Sequence, residues 1–110
     1  MSSTFEVKER KSAEEIINDE IKRLEKYHRK GNWGKFFNED AIDLALIVSP
    51  DKKEILGFSV LLAANGPTVE FLCHRGVGEI IYSYAGVEIK KEVPYKICDD
   101  IISYLEEVTA

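Results

Sequence analysis

The dipeptide Asn65-Gly66 stands between two apolar runs, and it restricts the possible folds more than any other feature of this chain. An Asn-Gly pair in this setting predicts a two-residue hairpin turn, because both turn residues adopt positive φ angles. With these two residues as the loop, Leu62 lies opposite Val69, and alternate apolar residues of both runs fall on the same face. The sequence therefore predicts an antiparallel hairpin with one apolar face.

The Gly-Val-Gly segment at 76–78 predicts a second turn, because glycine tolerates positive φ, and this turn adds a third strand. With its first two residues as the loop, His74 lies opposite Glu79. Glu70 then lies opposite Ser83. The core face of these strands is predicted to carry Phe58, Val60, Leu62, Val69, Phe71, Cys73, Ile80 and Tyr82.

Two further apolar segments extend the sheet on either side. Residues 41–49 alternate in polarity and predict a first strand with Leu46 opposite Phe58, a register that requires a bulge or an odd-length loop. Residues 87–93 predict either a fifth strand or a continuation of the fourth strand past a bulge. Their alternating charges suit an edge strand.

A helix is predicted at each end of this meander. Ser12 and Glu15 form a capping-box pattern, apolar residues follow at helical spacing, and Gly31 provides a stop, which together predict a helix over 12–30. Pro94 suits a first helical position and predicts a second helix over 94–108. The predicted fold is α+β: helix, four- or five-stranded antiparallel meander, helix, in two layers with both helices on one sheet face.

Length and composition restrict the classes of function. Residues 1–11 are polar and without a period, which predicts a flexible N-terminal segment or a short edge segment through Phe5 and Val7. A chain of 110 residues predicts a single α+β domain, 12–110, after this segment. A net charge of −5 argues against nucleic acid or a membrane as partner. The chain shows no signal peptide or long apolar run, so Cys73 and Cys98 are predicted to be reduced core thiols of a cytoplasmic protein. A disulfide between them is the less favoured alternative.

The second face of the sheet is mixed rather than polar. A half-solvated antiparallel sheet alternates between apolar and polar faces, but here several large apolar side chains fall on the polar face. We expect another molecule to cover them, either a second copy in a homodimer or a basic protein. The predicted interface residues are Ile47, Leu61, Leu72 and Ile81.

A group of polar residues on this mixed face suggests a ligand-binding site made of Glu70, His74, Glu79 and Ser83. A carboxylate beside a histidine orients the imidazole and raises its pKa, as a general base requires. Gly57, opposite His74, would leave room for a ligand. The ordinary alternative, an exposed cross-strand ion pair, is favoured. No spacing typical of a metal site is present, and no metal or cofactor is predicted.

Three aromatic residues, Trp33, Phe36 and Phe37, fall in a segment predicted to be a loop. They are either a plug over the end of the core or an exposed second binding patch. The plug is favoured, because aromatic side chains make up a large share of small cores.

These observations favour a small acidic, non-enzymatic interaction module: a homodimer, an inhibitor, or both, that binds a basic protein through its second sheet face. Small acidic α+β proteins of similar build include toxin-neutralising immunity proteins and secretion chaperones, which is an analogy of fold only. The alternative is a small-ligand-binding protein or small enzyme with a pocket around Glu70, His74 and Glu79.

Overall fold

The computed structural model describes residues 12–109, so the predicted flexible segment 1–11 lies outside the described residues. The fold is α+β, as predicted, and both long helices pack on one face of a five-stranded antiparallel meander in the order β1-β2-β3-β4-β5. The elements are α1 (Ala13–Lys30), α2 (Trp33–Lys35), a π-helical turn (Phe36–Asp40), β1 (Asp43–Val48), β2 (Ile55–Ala63), β3 (Thr68–His74), β4 (Val77–Tyr84), β5 (Val87–Val93) and α3 (Tyr95–Thr109).

Helix α1 begins and ends where its capping residues predict. The Ser12 hydroxyl accepts a hydrogen bond from the backbone N–H of Glu15 at 3.2 Å. Gly31 adopts the left-handed conformation with φ of 63°, and its N–H donates to the carbonyl of His28 at 3.3 Å. These bonds satisfy backbone groups that a helix end otherwise leaves without partners.

The core lies between the helical layer and one face of the sheet. Phe58 and Phe71, from neighbouring strands, contact each other edge to face with ring centroids 5.3 Å apart. The helices contribute buried aliphatic side chains to the same hydrophobic cluster. The fully buried members include Phe36, Phe58, Phe71, Ile17, Leu24, Ile80, Ile97, Ile101, Val60, Val69, Cys73 and Cys98.

The prediction of a loop over residues 33–40 was wrong, because this segment is helical throughout. Trp33 and Phe36 are 2% and 0% exposed, and Phe37 stacks on Tyr104 with ring centroids 5.8 Å apart. Burial of these rings outweighs the low helix propensity of Gly34. The three aromatic side chains therefore close one end of the core.

The first hairpin has a wider loop than the Asn-Gly pair predicts. Gly66 has a φ of 92°, Leu62 is the extra residue of a bulge, and Ala63 rather than Leu62 lies opposite Val69. Pro67 has no N–H to donate to a sheet ladder, so the loop extends to this residue before β3 begins. The remaining predicted pairs, Val60 with Phe71 and Phe58 with Cys73, are confirmed.

The second hairpin turns at Arg75-Gly76, so the predicted Gly-Val turn was wrong. Arg75 and Gly76 have φ angles of 54° and 78°. A two-residue hairpin of this type needs positive φ at both positions, which a β-branched Val77 resists. His74 consequently pairs with Val77. The register differs by two residues from the prediction, and a shift of two leaves every side chain on its predicted face.

The two outer strands are edges of the sheet. Strand β1 pairs with β2 in the predicted register, Leu46 opposite Phe58, with a bulge between Ile47 and Val48. Strand β5 is a separate strand, joined to β4 by the turn Ala85-Gly86.

Cys73 and Cys98 are free thiols that are fully buried between β3 and α3. A hydrogen bond with Cys73 and burial raise the pKa of the Cys98 thiol. Gly78 lies opposite Cys73 in the sheet, and a Cβ at this position would overlap the Sγ atom of Cys98. The missing side chain at Gly78 therefore makes room for the thiol.

Candidate binding surface on the open face of the sheet

The sheet face opposite the two long helices, here called the open face, is built from alternate residues of all five strands. Two rows cross its centre, each formed by residues that lie opposite one another in adjacent strands. One row is Ala45, Ser59, Leu72, Glu79 and Glu92, and the other is Asp43, Leu61, Glu70, Ile81 and Lys90.

The centre of the open face is apolar. Leu61, Leu72 and Ile81 are half-buried there, and Ile47 is half-buried near the β1 edge. All four predicted interface residues thus share one face, and their cover by another molecule stays a prediction. Glu70 lies among the leucines and accepts a hydrogen bond from the Ser59 hydroxyl at 2.8 Å.

Carboxylates surround this apolar centre. Within residues 12–109, the face carries one lysine, Lys90, whose Nζ atom lies 3.4 Å from the carboxylate of Glu88. Glu79 lies directly opposite Glu92. Like charges in directly opposed positions of a sheet repel each other. The acids on the face are Asp43, Glu70, Glu79, Glu88 and Glu92.

The four predicted ligand-binding residues all lie on the open face, but they do not form the predicted pairs. His74 lies opposite Val77 rather than Glu79, and Glu70 lies opposite Ile81 rather than Ser83. Both errors come from the misplaced second turn. The arrangement therefore does not bring a carboxylate directly across from the imidazole, as the general-base hypothesis requires.

The space expected beside Gly57 is filled by the protein itself. Gly57 is buried, and a Cβ at this position would overlap the carbonyl oxygen of Cys73 on the neighbouring strand. The glycine permits close approach of two backbones and provides no room for a ligand.

A polar cluster at the end of the core involves Asp100 of α3. The indole N–H of Trp33 donates to Asp100 Oδ2 at 2.6 Å, and His28 Nδ1 lies 3.0 Å from the same oxygen. A buried indole requires an acceptor, which is the one sequence signal that could have indicated such a partner. The cluster joins α1, α2 and α3 and holds the aromatic plug in place.

A cavity of about 250 Å³ lies beside α1, and its walls are mainly cationic. Its wall includes Asp40, whose buried Oδ2 atom has no hydrogen-bond partner among residues 12–109 and lies 4.0 Å from a guanidinium nitrogen of Arg23. Burial and the Asp40 carboxylate raise the pKa of Tyr27 to about 12. The lining residues are Arg23, Lys26, Tyr27, Lys30, Asn32, Lys35 and Asp40.

Tyr27 makes stability depend on alkaline pH. The folded state raises its pKa from 10.0 to about 12, so its contribution is fully present below pH 10 and is lost as the pH rises towards 12. We expect the free energy of unfolding to fall by about 1 kcal/mol over this interval because of Tyr27. Urea unfolding at several alkaline pH values would measure the fall, and Tyr27→Phe should reduce it.

The matched control for this effect is Tyr84→Phe, since Tyr84 is an exposed tyrosine on the sheet. This variant should retain the wild-type fall in stability. Equal pH profiles for the wild type and Tyr27→Phe would contradict the assignment.

Among residues 12–109, no helix is both long and apolar enough to cross a membrane. The same part of the chain contains no group of three His, Cys, Asp or Glu side chains placed to hold a metal ion. Comparisons of the chain with protein-family models, with curated proteins and with solved structures found no match.

Proposed function

We propose that the protein is a non-enzymatic binding module whose open sheet face docks a basic protein. The observation that carries this proposal is the combination on one face of an apolar centre and an excess of carboxylates. Leu61, Leu72 and Ile81 supply apolar contact area, and the surrounding acids supply charge for recognition. Lysine and arginine suit such a surface, because their alkyl stems cover leucine while their charged groups reach carboxylates.

Charge also favours a basic partner over a second copy on this face. Two open faces packed against each other would bring the carboxylates of Glu70 and Glu79 towards the same groups of the partner copy. Like charges that oppose each other across an interface lower the binding free energy by roughly several kcal/mol. A penalty of this size can prevent a specific complex from forming. We therefore assign the open face to a different protein of opposite charge.

The positions of the titratable side chains favour binding over catalysis. His74 and Glu79 lie at different levels of the sheet, and Glu70 is engaged by Ser59. As part of the same proposal we assign the protein to the cytoplasm, because its two buried cysteines are free and a reducing compartment keeps thiols in that state.

A peptide pair of matched hydrophobicity tests the charge preference. We expect a peptide of alternating lysine and leucine to bind the wild type, and a peptide of alternating glutamate and leucine not to bind. Leu72→Lys, which places a cation at the centre of the open face, should weaken binding of the basic peptide by at least about tenfold. Isothermal titration calorimetry at low and high salt would measure both affinities.

Val87→Lys is the matched control, because it adds the same charge to an exposed residue of β5 on the helix side of the sheet. Affinity for the basic peptide should be lowered much less in this variant than in Leu72→Lys. Equal binding of both peptides, or equal affinities of the two lysine variants, would refute the assignment of the open face.

A further inference from the structure

An uncovered row of apolar side chains lies along β1 on the helix side of the sheet. Ile42, Leu44, Leu46 and Val48 are 59%, 36%, 38% and 42% exposed. Their register, with Leu46 opposite Phe58, places them on the core face. However, α1 packs mainly on β4 and β5, and α3 packs mainly on β2 and β4, so the row lies beyond the helical layer.

Strand β1 is also a sheet edge that carries few charges. Among residues 12–109, no further strand pairs with its outer backbone N–H and C=O groups, and Asp43 is the one charged residue of Asp43–Val48. The opposite edge differs, because four of the seven residues of β5 are Glu or Lys. Edge charges discourage pairing with another chain, whereas a long apolar edge promotes it.

We propose that β1 pairs antiparallel with β1 of a second copy of this chain, forming a continuous sheet across a two-fold axis. The strand is complementary to itself in this arrangement. With the axis near Ala45 or Leu46, the apolar row of one copy lies beside that of the other, and the two Asp43 side chains are kept at opposite ends. A parallel arrangement in register would place the Asp43 carboxylates side by side, which is unfavourable.

The surroundings of the row fit a partner strand of this kind. A cavity of about 290 Å³ runs between β1 and the last turn of α3, and Leu46, Val48 and Ile55 form its apolar wall. Apolar side chains from the second β1 would lie beside this wall and remove it from water, which stabilises the pair. A two-fold contact uses the same surface on both copies and closes on itself, so it stops at a dimer.

The dimer would present two open faces on the same side of one sheet. A two-fold axis perpendicular to a continuous antiparallel sheet leaves both copies facing the same way. This inference stands apart from the proposed function, since the dimer uses the β1 edge and the binding of a basic partner uses the open face.

Light scattering with three variants tests the proposal. The full-length wild type is expected to show twice the mass of the chain, and Leu46→Lys the mass of one chain. Val87→Lys, the same substitution on the other edge strand, should remain dimeric. Leu72→Lys should also remain dimeric, because Leu72 lies on the open face of a central strand.

Circular dichroism would show that each variant is folded, and Leu44→Lys replaces Leu46→Lys if that chain does not fold. Amide hydrogen exchange provides a second measurement, since the outward amides of β1 should exchange more slowly in the wild type than in the Leu46→Lys monomer. A monomeric wild type at submillimolar concentration would overturn the proposal. So would a dimeric Leu46→Lys, or a dimer that Leu72→Lys dissociates and Leu46→Lys does not.

Discussion

Replacing Phe71 by alanine is expected to lower the free energy of unfolding by about 3 to 5 kcal/mol. Phe71 is fully buried at the centre of the core, where its ring contacts Phe58 edge to face. Truncation removes apolar contact area and leaves a cavity that a close-packed core cannot easily fill. A loss of this size is a large fraction of the 5 to 15 kcal/mol that typically stabilises a domain.

The adjacent residue Leu72 provides the matched control. It lies on the same strand, but its side chain is half-buried on the open face. Leu72→Ala should lower the free energy of unfolding by about 1 kcal/mol or less, because the side chains around Leu72 are already in contact with water. Urea unfolding followed by circular dichroism would compare both variants at a concentration where the association state is the same. Similar losses for the two substitutions would mean that the open face is part of the core.

The difference in stability loss between Phe71→Ala and Leu72→Ala indicates whether the apolar centre of the open face serves folding or binding. If Leu72 contributes little to folding, its apolar side chain needs another explanation, and contact with a partner supplies one. The stability measurement therefore tests the premise of the binding proposal without requiring the partner.

The faces of the sheet could be predicted from the sequence, but the turns could not. Side chains alternate with a period of two, so an error of two residues in the second hairpin left Phe71, Ile80 and Leu72 on their predicted faces. The turn itself depends on whether Arg75 can adopt positive φ, which is a small energetic preference that tertiary packing decides. The predicted polar pairs, His74 with Glu79 and Glu70 with Ser83, were therefore wrong, because both depended on the position of that turn.

Features formed by residues that are distant in sequence could not be predicted either. Asp100 and Trp33 lie 67 residues apart, and helical spacing gave no indication of their hydrogen bond. The uncovered row on β1 follows from the width of the helical layer. Two helices, each about 10 Å across, cover roughly four strands spaced about 4.8 Å apart, so a fifth strand extends past them.

Gly78→Ala is expected to lower the free energy of unfolding by about 1 to 3 kcal/mol, because its Cβ has no space. The new methyl group would overlap the Sγ atom of Cys98, and it would lie 3.4 Å from the carbonyl oxygen of Val93 and 3.5 Å from the ring of Phe71. Backbone and aromatic neighbours on two sides prevent the chain from relaxing locally. Urea unfolding would measure the loss.

A second substitution at the point of overlap identifies the cause. Cys98→Ala removes the Sγ atom and opens space at the position that the Gly78→Ala methyl group would occupy. In the double variant the two losses should not add, and the shortfall should be about 0.5 to 3 kcal/mol. Additive losses would show that the overlap with the Sγ atom of Cys98 is not the cause of the loss. A clear shortfall would instead show that β4 carries glycine here so that α3 can bring its thiol against Cys73 and close the core.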